Sequence, residues 1–473
     1  MRIPSRKLGS PCQLFFVRLL SLFLVSVRVV SAADVIAFTI PSTLLSNASQ
    51  ILDPRFAGFG IEFSNIFSFT GTAASPNTFS SNLMANLKNV AGVAPCIRVG
   101  GNTQDYALYQ SSYTGAQIGR NPHPTTNSTI KGNVPFDNDI YGDELFKALG
   151  TFPAGTSYIF GLNLAYDNSD YIAQITGAAK AALSALNDNL YSFEIGNEPD
   201  LYSSTAAFRI GQKWDGTTYS SQWLDRANAI NTQVLHVLHL LNQVLSPAGR
   251  PSNLFEAGTT ASTIGTTFEI KDLVADGIDK NNNVFHYNQH DYFYYVSVSG
   301  FSLTRQYMMN HGNIVSQFRA WKTQQEQSVA AGKPYLLGEM AAVGPEGMGE
   351  ITDVFGCALW SLDFFLYAAS INVTRVLMHM TDLGNQSAWQ PITIGNIAPW
   401  VRPVYYGHII TSTLIGPIMT PRLPKSTCAV RNYKTTPAAH RHTSCIVGLP
   451  STRLSSSICA NSTKVRSKPP PRK

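Results

Sequence analysis

A short apolar strand that runs into a polar turn lies near the middle of this 473-residue chain, at Phe193-Glu194-Ile195-Gly196-Asn197-Glu198-Pro199-Asp200. In barrels of parallel strands the catalytic side chains lie at the C-terminal strand ends, so this pattern predicts a catalytic carboxylate at Glu198. The same residues are also typical of a plain strand-to-helix turn, with a polar cap residue and a proline near the helix start.

A second apolar run also ends in a glutamate, at Pro334-Tyr335-Leu336-Leu337-Gly338-Glu339. Two carboxylates at the ends of different strands are what glycoside hydrolysis requires. One protonates the leaving oxygen, and the other attacks the anomeric carbon or activates a water molecule. The alternative is that Glu339 only caps a helix or pairs with a basic side chain.

Six further β-rich runs alternate with helical patterns along the chain. The eight runs are Ala57–Glu62, Pro95–Gly100, Tyr158–Leu164, Tyr191–Gly196, Leu254–Gly258, Val284–His290, Pro334–Gly338 and Arg375–Met380. The helical patterns include Leu83–Val90, Tyr171–Ala185, Ser220–Leu245, Thr304–Gln327 and Thr352–Ser370. This alternation predicts an α/β fold, a (β/α)8 TIM barrel over residues 56–400.

The two ends of the chain predict a partial β-sandwich beside the barrel. Residues 33–55 contain the apolar run Val35–Ile40, and residues 401–420 contain another β-leaning stretch, so we expect the sandwich to be built from both. Residues 421–473 carry eleven basic residues and no acidic one. Such a composition predicts a disordered tail, because it buries too little apolar surface to offset the entropy of ordering.

Composition and charge narrow the class of protein. With 44% hydrophobic and 14% charged residues, the chain is globular rather than disordered. Its net charge of +6 comes from the two ends, since residues 33–420 carry all 29 acidic residues against 19 of the 35 basic ones. The net charge of −10 in this central part argues against a protein that binds nucleic acid or another polyanion.

Residues 1–32 resemble a secretory signal peptide, with a basic start, an apolar centre and small residues near Ala32. A membrane anchor is the alternative, but the apolar run is shorter than the roughly 20 residues that span a bilayer. Glycosylation triplets at Asn47, Asn127, Asn372, Asn385 and Asn461 agree with a secreted, extracellular protein. The cysteine spacing predicts no metal site and no disulfide framework, and nothing in the sequence indicates a cofactor.

Several further motifs of the chain resemble those of one known enzyme family. They are Gly58-Phe59-Gly60-Ile61-Glu62-Phe63, Ile97-Arg98-Val99-Gly100-Gly101-Asn102-Thr103-Gln104-Asp105, Gly161-Leu162-Asn163-Leu164, His290-Asp291-Tyr292, Gly338-Glu339 and Phe355-Gly356-Cys357-Ala358-Leu359-Trp360-Ser361-Leu362-Asp363. Together with the Asn197-Glu198 turn they resemble glycoside hydrolase family 79, which contains β-glucuronidases and heparanase-like enzymes.

This resemblance implies a retaining mechanism, with Glu198 as the acid/base and Glu339 as the nucleophile. It places Asn197 beside the 2-hydroxyl of the sugar, where a hydrogen bond can strengthen in the transition state. Tyr292 is expected to donate a hydrogen bond to Glu339, with His290 in the same cluster. Alternatively, Tyr292 and His290 are ordinary members of an aromatic-rich strand end.

Other residues of the motifs have expected supporting roles. Glu62, Asn102 and Asp105 would contact sugar hydroxyls or support the residues that do. Arg98 lies inside a strand rather than at its end, so we expect it to form a buried ion pair behind the site. Glu194 lies well back from the end of its strand, and we expect a structural role for it.

One departure from the family concerns the substrate carboxylate. The segment Met340–Gly349 has no tyrosine and includes Glu346, which would repel a glucuronate. The resemblance nevertheless makes the favoured function a secreted exo-β-glucuronidase acting on terminal glucuronate or 4-O-methylglucuronate of glycans, with a carbohydrate as its partner, and the net charge of −10 favours exo over endo action. The alternatives are another retaining β-glycosidase, an endo-acting heparanase-like enzyme, and a catalytically inactive carbohydrate-binding protein.

Overall fold

The computed structural model describes residues 49–124, 136–204, 208–235, 253–262 and 266–416, and the backbone of two short strands, Ala429–Arg431 and Ser444–Ile446. All of these residues belong to the second of two compact units, Leu44–Lys473. The predicted signal peptide, the run Val35–Ile40, the triplets at Asn47, Asn127 and Asn461, and nearly all of the tail 421–473 lie outside the described residues.

Eight parallel strands form a closed barrel in which each strand pairs with its neighbours in the chain, and the last strand pairs with the first. They are β1 (Ala57–Glu62), β2 (Cys96–Gly100), β3 (Ser157–Leu162), β4 (Leu190–Ile195), β5 (Phe255–Thr260), β6 (Val284–Tyr295), β7 (Tyr335–Gly344) and β8 (Val376–Met380). The expected (β/α)8 barrel is therefore confirmed, and each of the eight predicted runs lies on one of its strands.

The strands are apolar because both of their faces are covered. Every residue of β2, β7 and β8 is buried, one face inside the barrel and the other beneath the surrounding helices. Parallel strands in this environment have continuous apolar runs instead of an alternating pattern.

The helices surround the barrel in chain order. They are α1 (Ile66–Thr70), α2 (Thr78–Ala91), α3 (Asp143–Leu149), α4 (Tyr171–Leu186), α5 (Gly216–Ile230), α6 (Ile270–Ala275), α7 (Arg305–Met308), α8 (His311–Ala330), α9 (Phe355–Ser370) and α10 (Val404–Ile415). The stretch predicted as one helix over Thr304–Gln327 is two, α7 and α8. The separation occurs at Asn310, whose side chain accepts a hydrogen bond from Gly312 N and caps α8.

The expectation of β structure over residues 401–420 is wrong for most of that stretch, because residues 404–415 form the helix α10. Its buried residues Val404, His408, Thr411 and Ile415 are spaced three or four apart, which places them on one helix face against the barrel. The β-branched residues of this stretch suggested a strand, but tertiary packing decided the outcome.

The extra sheets outside the barrel are small. Ala429–Arg431 and Ser444–Ile446 pair antiparallel, which fits a partial β-sandwich, and the N-terminal strand expected for that domain lies outside the described residues.

Cys96 and Cys357 are buried free thiols. Among the described helices, none has the length and apolar character needed to cross a membrane.

Candidate active site

Glu198 lies at the C-terminal mouth of the barrel, three residues after the end of β4. Gly196 makes the turn with φ 83°, a value that favours glycine, and a Cβ there would lie 2.7 Å from the side chain of Leu164. Glu198 itself has φ 48° and ψ 55°, in the left-handed region, and its N–H donates to Thr259 O at 2.8 Å. Its side chain makes no cap hydrogen bond to the helical turn that follows, so the plain-turn interpretation does not explain this glutamate.

Asp105 holds the backbone around this turn. Its Oδ2 accepts hydrogen bonds from Asn197 N at 2.8 Å and from the Tyr202 hydroxyl at 2.6 Å, and its Oδ1 accepts one from Leu164 N at 2.9 Å. The residue is 1% exposed. Asp105 therefore supports Glu198 from behind and is not placed to contact a sugar, which is the second of the two roles considered for it.

Glu339 lies within β7, which continues beyond it to Gly344. Both of its carboxylate oxygens accept hydrogen bonds, Oε2 from Arg98 Nη1 at 2.6 Å and Oε1 from the Tyr292 hydroxyl at 2.6 Å. The expected contact from Tyr292 is therefore present in the structure. Glu339 is also paired with the basic side chain of Arg98. The pairing with a base that was considered as the alternative role of Glu339 is therefore present at the same site.

The two glutamates face each other across the barrel mouth. One oxygen of Glu198, one oxygen of Glu339 and a ring nitrogen of His290 all lie within 4.8 Å of one another. His290 is 1% exposed, with Nδ1 at 3.4 Å from Glu198 Oε1. It lies beneath the pair instead of lining the open part of the site.

Arg98 connects this pair to a buried polar layer inside the barrel. Its guanidinium donates through Nε and Nη2 to the two oxygens of Glu194, at 2.8 and 2.5 Å, and Nη2 also donates to Asn197 Oδ1 at 2.7 Å. Asn288 Nδ2 joins Glu194 to Glu256 with two bonds of 3.0 Å. The expected buried ion pair of Arg98 is present. Glu194 is fully buried, although it is the penultimate residue of β4 and does not lie well back from the strand end as expected.

The surroundings drive the pKa values of the two glutamates apart. Burial, followed by the negative charge of Glu339, raises the pKa of Glu198 to about 8. Burial alone would raise the pKa of Glu339 too, but the positive charges of His379 and Arg98 and the hydroxyl of Tyr292 hold it well below its usual range. At neutral pH, Glu198 is therefore a proton donor and Glu339 is a carboxylate.

His379, the penultimate residue of β8, is not among the residues predicted from the sequence. Its Nδ1 is 3.6 Å from Glu339 Oε2, and its Nε2 is 3.5 Å from Glu62 Oε2. Burial would lower its pKa, but these two carboxylates raise it overall, whereas burial lowers the pKa of His290 to about 4. The sequence feature that could have predicted a site role for His379 is its position near the C-terminal end of the predicted strand Arg375–Met380.

A cavity of about 640 Å³ opens above the glutamates. Of the sequence-predicted residues, those that line it are Glu62, Asn102, Glu198, Tyr292, Glu339 and Glu346. Glu62 is oriented by Thr103, whose N–H and hydroxyl both donate to its Oε1. Asn197 lies just below, 4% exposed, and its Nδ2 donates to Asn102 Oδ1 at 3.0 Å.

Glu198, His290 and Glu339 could also be considered as ligands of a metal ion, since they offer ligand atoms within 4.8 Å of one another. Both oxygens of Glu339 already accept strong hydrogen bonds, and one of them comes from the positive guanidinium of Arg98. A metal ion at this point would be repelled by the positive charge of Arg98. The arrangement fits proton transfer and nucleophilic attack better than metal binding.

The chain is similar in sequence to two β-glucuronidases of fungi. It is 31% identical over 384 residues to a β-glucuronidase of Aspergillus niger, over 78% of this chain and 66% of that protein. It is 29% identical over 372 residues to a β-glucuronidase of Neurospora crassa, over 76% of this chain and 63% of that protein. The chain thus spans slightly less than two thirds of the length of these curated relatives. No family model matches it.

Solved structures show the same architecture. A 4-O-α-L-rhamnosyl-β-D-glucuronidase from Fusarium oxysporum 12S matches with a TM-score of 0.62 and 21% identity, over 84% of this chain and 78% of that one. A family 51 α-L-arabinofuranosidase from Bifidobacterium longum matches with a TM-score of 0.51 and 12% identity, over 78% and 75% of the two chains. At such identities the likeness establishes the barrel fold.

Proposed function

We propose that this protein is a glycoside hydrolase of the β-glucuronidase type, secreted, retaining and exo-acting, of glycoside hydrolase family 79. The observation that carries the proposal is the pair of glutamates close together at the barrel mouth, in surroundings that raise the pKa of Glu198 and lower that of Glu339. The similarity to two fungal β-glucuronidases supports glucuronate as the sugar.

The proposed reaction has two steps. In the first, Glu339 attacks the anomeric carbon while Glu198 transfers its proton to the glycosidic oxygen, so the aglycone leaves as an alcohol and a glycosyl ester forms on Glu339. In the second, Glu198, now ionised, takes a proton from water as the water attacks the same carbon and releases Glu339. Arg98 and Tyr292 orient Glu339 throughout.

The spacing of the glutamates supports retention of configuration. Carboxyl groups about 5 to 5.5 Å apart are typical of retaining enzymes, whereas inverting enzymes need roughly 6.5 to 9.5 Å to admit a water molecule. The oxygens of Glu198 and Glu339 lie within 4.8 Å, which supports the double displacement.

The test of this function is hydrolysis of 4-nitrophenyl β-D-glucuronide beside the matching glucoside, galactoside, xyloside and α-L-arabinofuranoside. We expect the glucuronide to be preferred, and proton NMR of the first-formed sugar to show the β-anomer. A first-formed α-anomer would mean inversion. Absence of hydrolysis across the whole panel would favour the inactive carbohydrate-binding alternative.

The raised pKa of Glu198 predicts an alkaline limit to activity. With 2-phenylethyl β-D-glucuronide, whose leaving group needs protonation, kcat/KM should fall as the pH rises through about 8, because Glu198 then loses its proton. On the acid side, Glu339 stays ionised to well below the usual carboxyl range. The measurement is a pH profile of kcat/KM, with the 4-nitrophenyl glycoside as the control that needs less acid assistance. An alkaline limb centred below pH 6 would contradict the assignment.

Glu346 should penalise a uronate substrate. It is exposed and lines the cavity, so Glu346→Gln is expected to raise kcat/KM for 4-nitrophenyl β-D-glucuronide by about two- to tenfold and to leave the glucoside nearly unchanged. Glu350→Gln is the matched control, because Glu350 is an exposed acid four residues further along the chain but does not line the cavity. An equal change for both sugars would show that Glu346 does not face the sugar carboxylate.

A further inference from the structure

The turn that carries Glu198 is joined to the neighbouring strand β5 by backbone contacts at and before the glutamate. The Thr259 hydroxyl donates a hydrogen bond to Gly196 O at 3.0 Å. Glu198 N donates one to Thr259 O at 2.8 Å. These two bonds fix the backbone of the turn up to the glutamate.

Asp200 makes the corresponding contact after the glutamate. Its Oδ1 accepts a hydrogen bond from Ala261 N at 3.0 Å, and its Oδ2 accepts one from Ser262 N at 2.9 Å. Ala261 and Ser262 directly follow β5, and they line the catalytic cavity together with Glu198. These two bonds, called the Asp200 clamp below, therefore join the Glu198 turn to a part of the cavity wall.

The backbone conformation of Glu198 makes such a clamp necessary. Glu198 has φ 48° and ψ 55°, in the left-handed region. A residue with a side chain keeps this conformation only where the surrounding contacts enforce it. The contacts on both sides come from β5 and its extension, through Thr259 before the side chain and through Asp200 after it. Without the clamp, the turn could relax and carry the Glu198 carboxyl away from its position facing Glu339.

We propose that Asp200 is a positioning residue for the acid/base, whose carboxylate holds the Glu198 turn against the segment after β5 and so keeps the Glu198 carboxyl directed into the cavity. The inference rests on the proposed function, in which Glu198 transfers the proton in both steps. Proton transfer needs the carboxyl within hydrogen-bond reach of the reacting oxygen, so a small displacement of the turn lowers its rate. Glu339 lies on β7 and does not depend on the clamp.

The charge of Asp200 also acts on Glu198. Burial, followed by the negative charge of Glu198, raises the pKa of Asp200 to about 7, although the two N–H donors lower it in part. Tyr219 of α5 also faces Asp200, but burial raises the pKa of its hydroxyl well above its usual range, so it carries no charge. Because the interaction between two charges is reciprocal, ionised Asp200 raises the pKa of Glu198 in turn.

The test is Asp200→Asn, which keeps the size of the side chain, removes its charge and replaces one acceptor oxygen with an amide that cannot accept. With 2-phenylethyl β-D-glucuronide, whose leaving group needs protonation, kcat/KM should fall about 10- to 100-fold. With the 4-nitrophenyl glycoside, kcat/KM should fall less than about threefold, because attack by Glu339 is unaffected. The alkaline limb of the pH profile for the phenylethyl substrate should move to lower pH by about half a unit or more.

Asp215→Asn is the matched control for a loss of stability. Asp215 Oδ1 likewise accepts a backbone hydrogen bond, from Thr218 N at 2.9 Å at the start of α5, but Asp215 does not line the cavity. This variant should lower the midpoint of thermal unfolding. It should change neither the ratio of kcat/KM between the two substrates nor the position of the alkaline limb.

Ser262→Pro tests the clamp from the donor side, because it removes one N–H and leaves the charge of Asp200 in place. If Asp200→Asn does not fold, this variant carries the test, and it should lower kcat/KM for the phenylethyl relative to the nitrophenyl substrate at least about fivefold. An equal loss with both substrates, or no loss with either, would overturn the positioning role and leave the glycosidase proposal intact. Failure of the unmodified protein to hydrolyse either glucuronide would overturn the proposed function and this inference with it.

Discussion

Glu339→Gln is expected to lower the rate of glycoside hydrolysis by about 10⁴-fold or more. The amide is too weak a nucleophile to form the glycosyl ester, and it cannot balance the charges of Arg98 and His379, at 2.6 and 3.6 Å from the carboxylate. The loss should appear in kcat with both 4-nitrophenyl and 2-phenylethyl β-D-glucuronide, because both need the same first bond.

Covalent labelling separates loss of the nucleophile from loss of the fold. A 2-deoxy-2-fluoro glucuronyl fluoride should add one sugar mass to the unmodified enzyme, and peptide mapping should place it on Glu339. The Glu339→Gln variant should not be labelled. Glu326→Gln is the control, since Glu326 lies on the outer helix α8 and is exposed. Label on another carboxylate, or near-normal turnover by the Glu339 variant, would remove Glu339 from this role.

The sequence was sufficient to predict that the two glutamates lie close together, because each follows a short apolar run and a parallel barrel brings the ends of such runs to one mouth. It was not sufficient to tell which glutamate holds the proton. That difference comes from Arg98 on β2 and His379 on β8, which only the closed barrel places beside Glu339. The roles came instead from resemblance to a family, and the electrostatics of the structure are consistent with them.

The predicted helices and strands were least accurate where packing overrides local preference. Residues 404–415 looked β-like because they are rich in apolar and β-branched side chains, yet they form α10 since their buried positions repeat at helical spacing. For Asp105 the sequence left two roles open, a contact to sugar hydroxyls or support of the residues that make such contacts. The closed barrel decides for support, because the carboxylate accepts hydrogen bonds from the backbone of Asn197 and Leu164 and from Tyr202.

Glu198→Ala is expected to act differently on good and poor leaving groups. With 2-phenylethyl β-D-glucuronide, kcat/KM should fall by about 10²- to 10⁴-fold, because the departing oxygen loses the proton donor that Glu198 supplies. His290, with Nδ1 at 3.4 Å from Glu198 Oε1, is a poor substitute, because burial lowers its pKa to about 4 and leaves it neutral. With the 4-nitrophenyl glycoside, whose leaving group departs without help, kcat/KM should fall far less.

The second step gives Glu198→Ala its most specific expected result. Without the general base, the glycosyl ester on Glu339 should accumulate and appear as a burst of nitrophenolate followed by slow turnover. Azide needs no base and can enter the space left by the removed side chain, so it should restore turnover and yield the β-glycosyl azide. An α-glycosyl azide would indicate direct displacement at the anomeric carbon and an inverting enzyme. No rescue by azide, together with an unchanged pH profile, would show that Glu198 does not transfer the proton in either step.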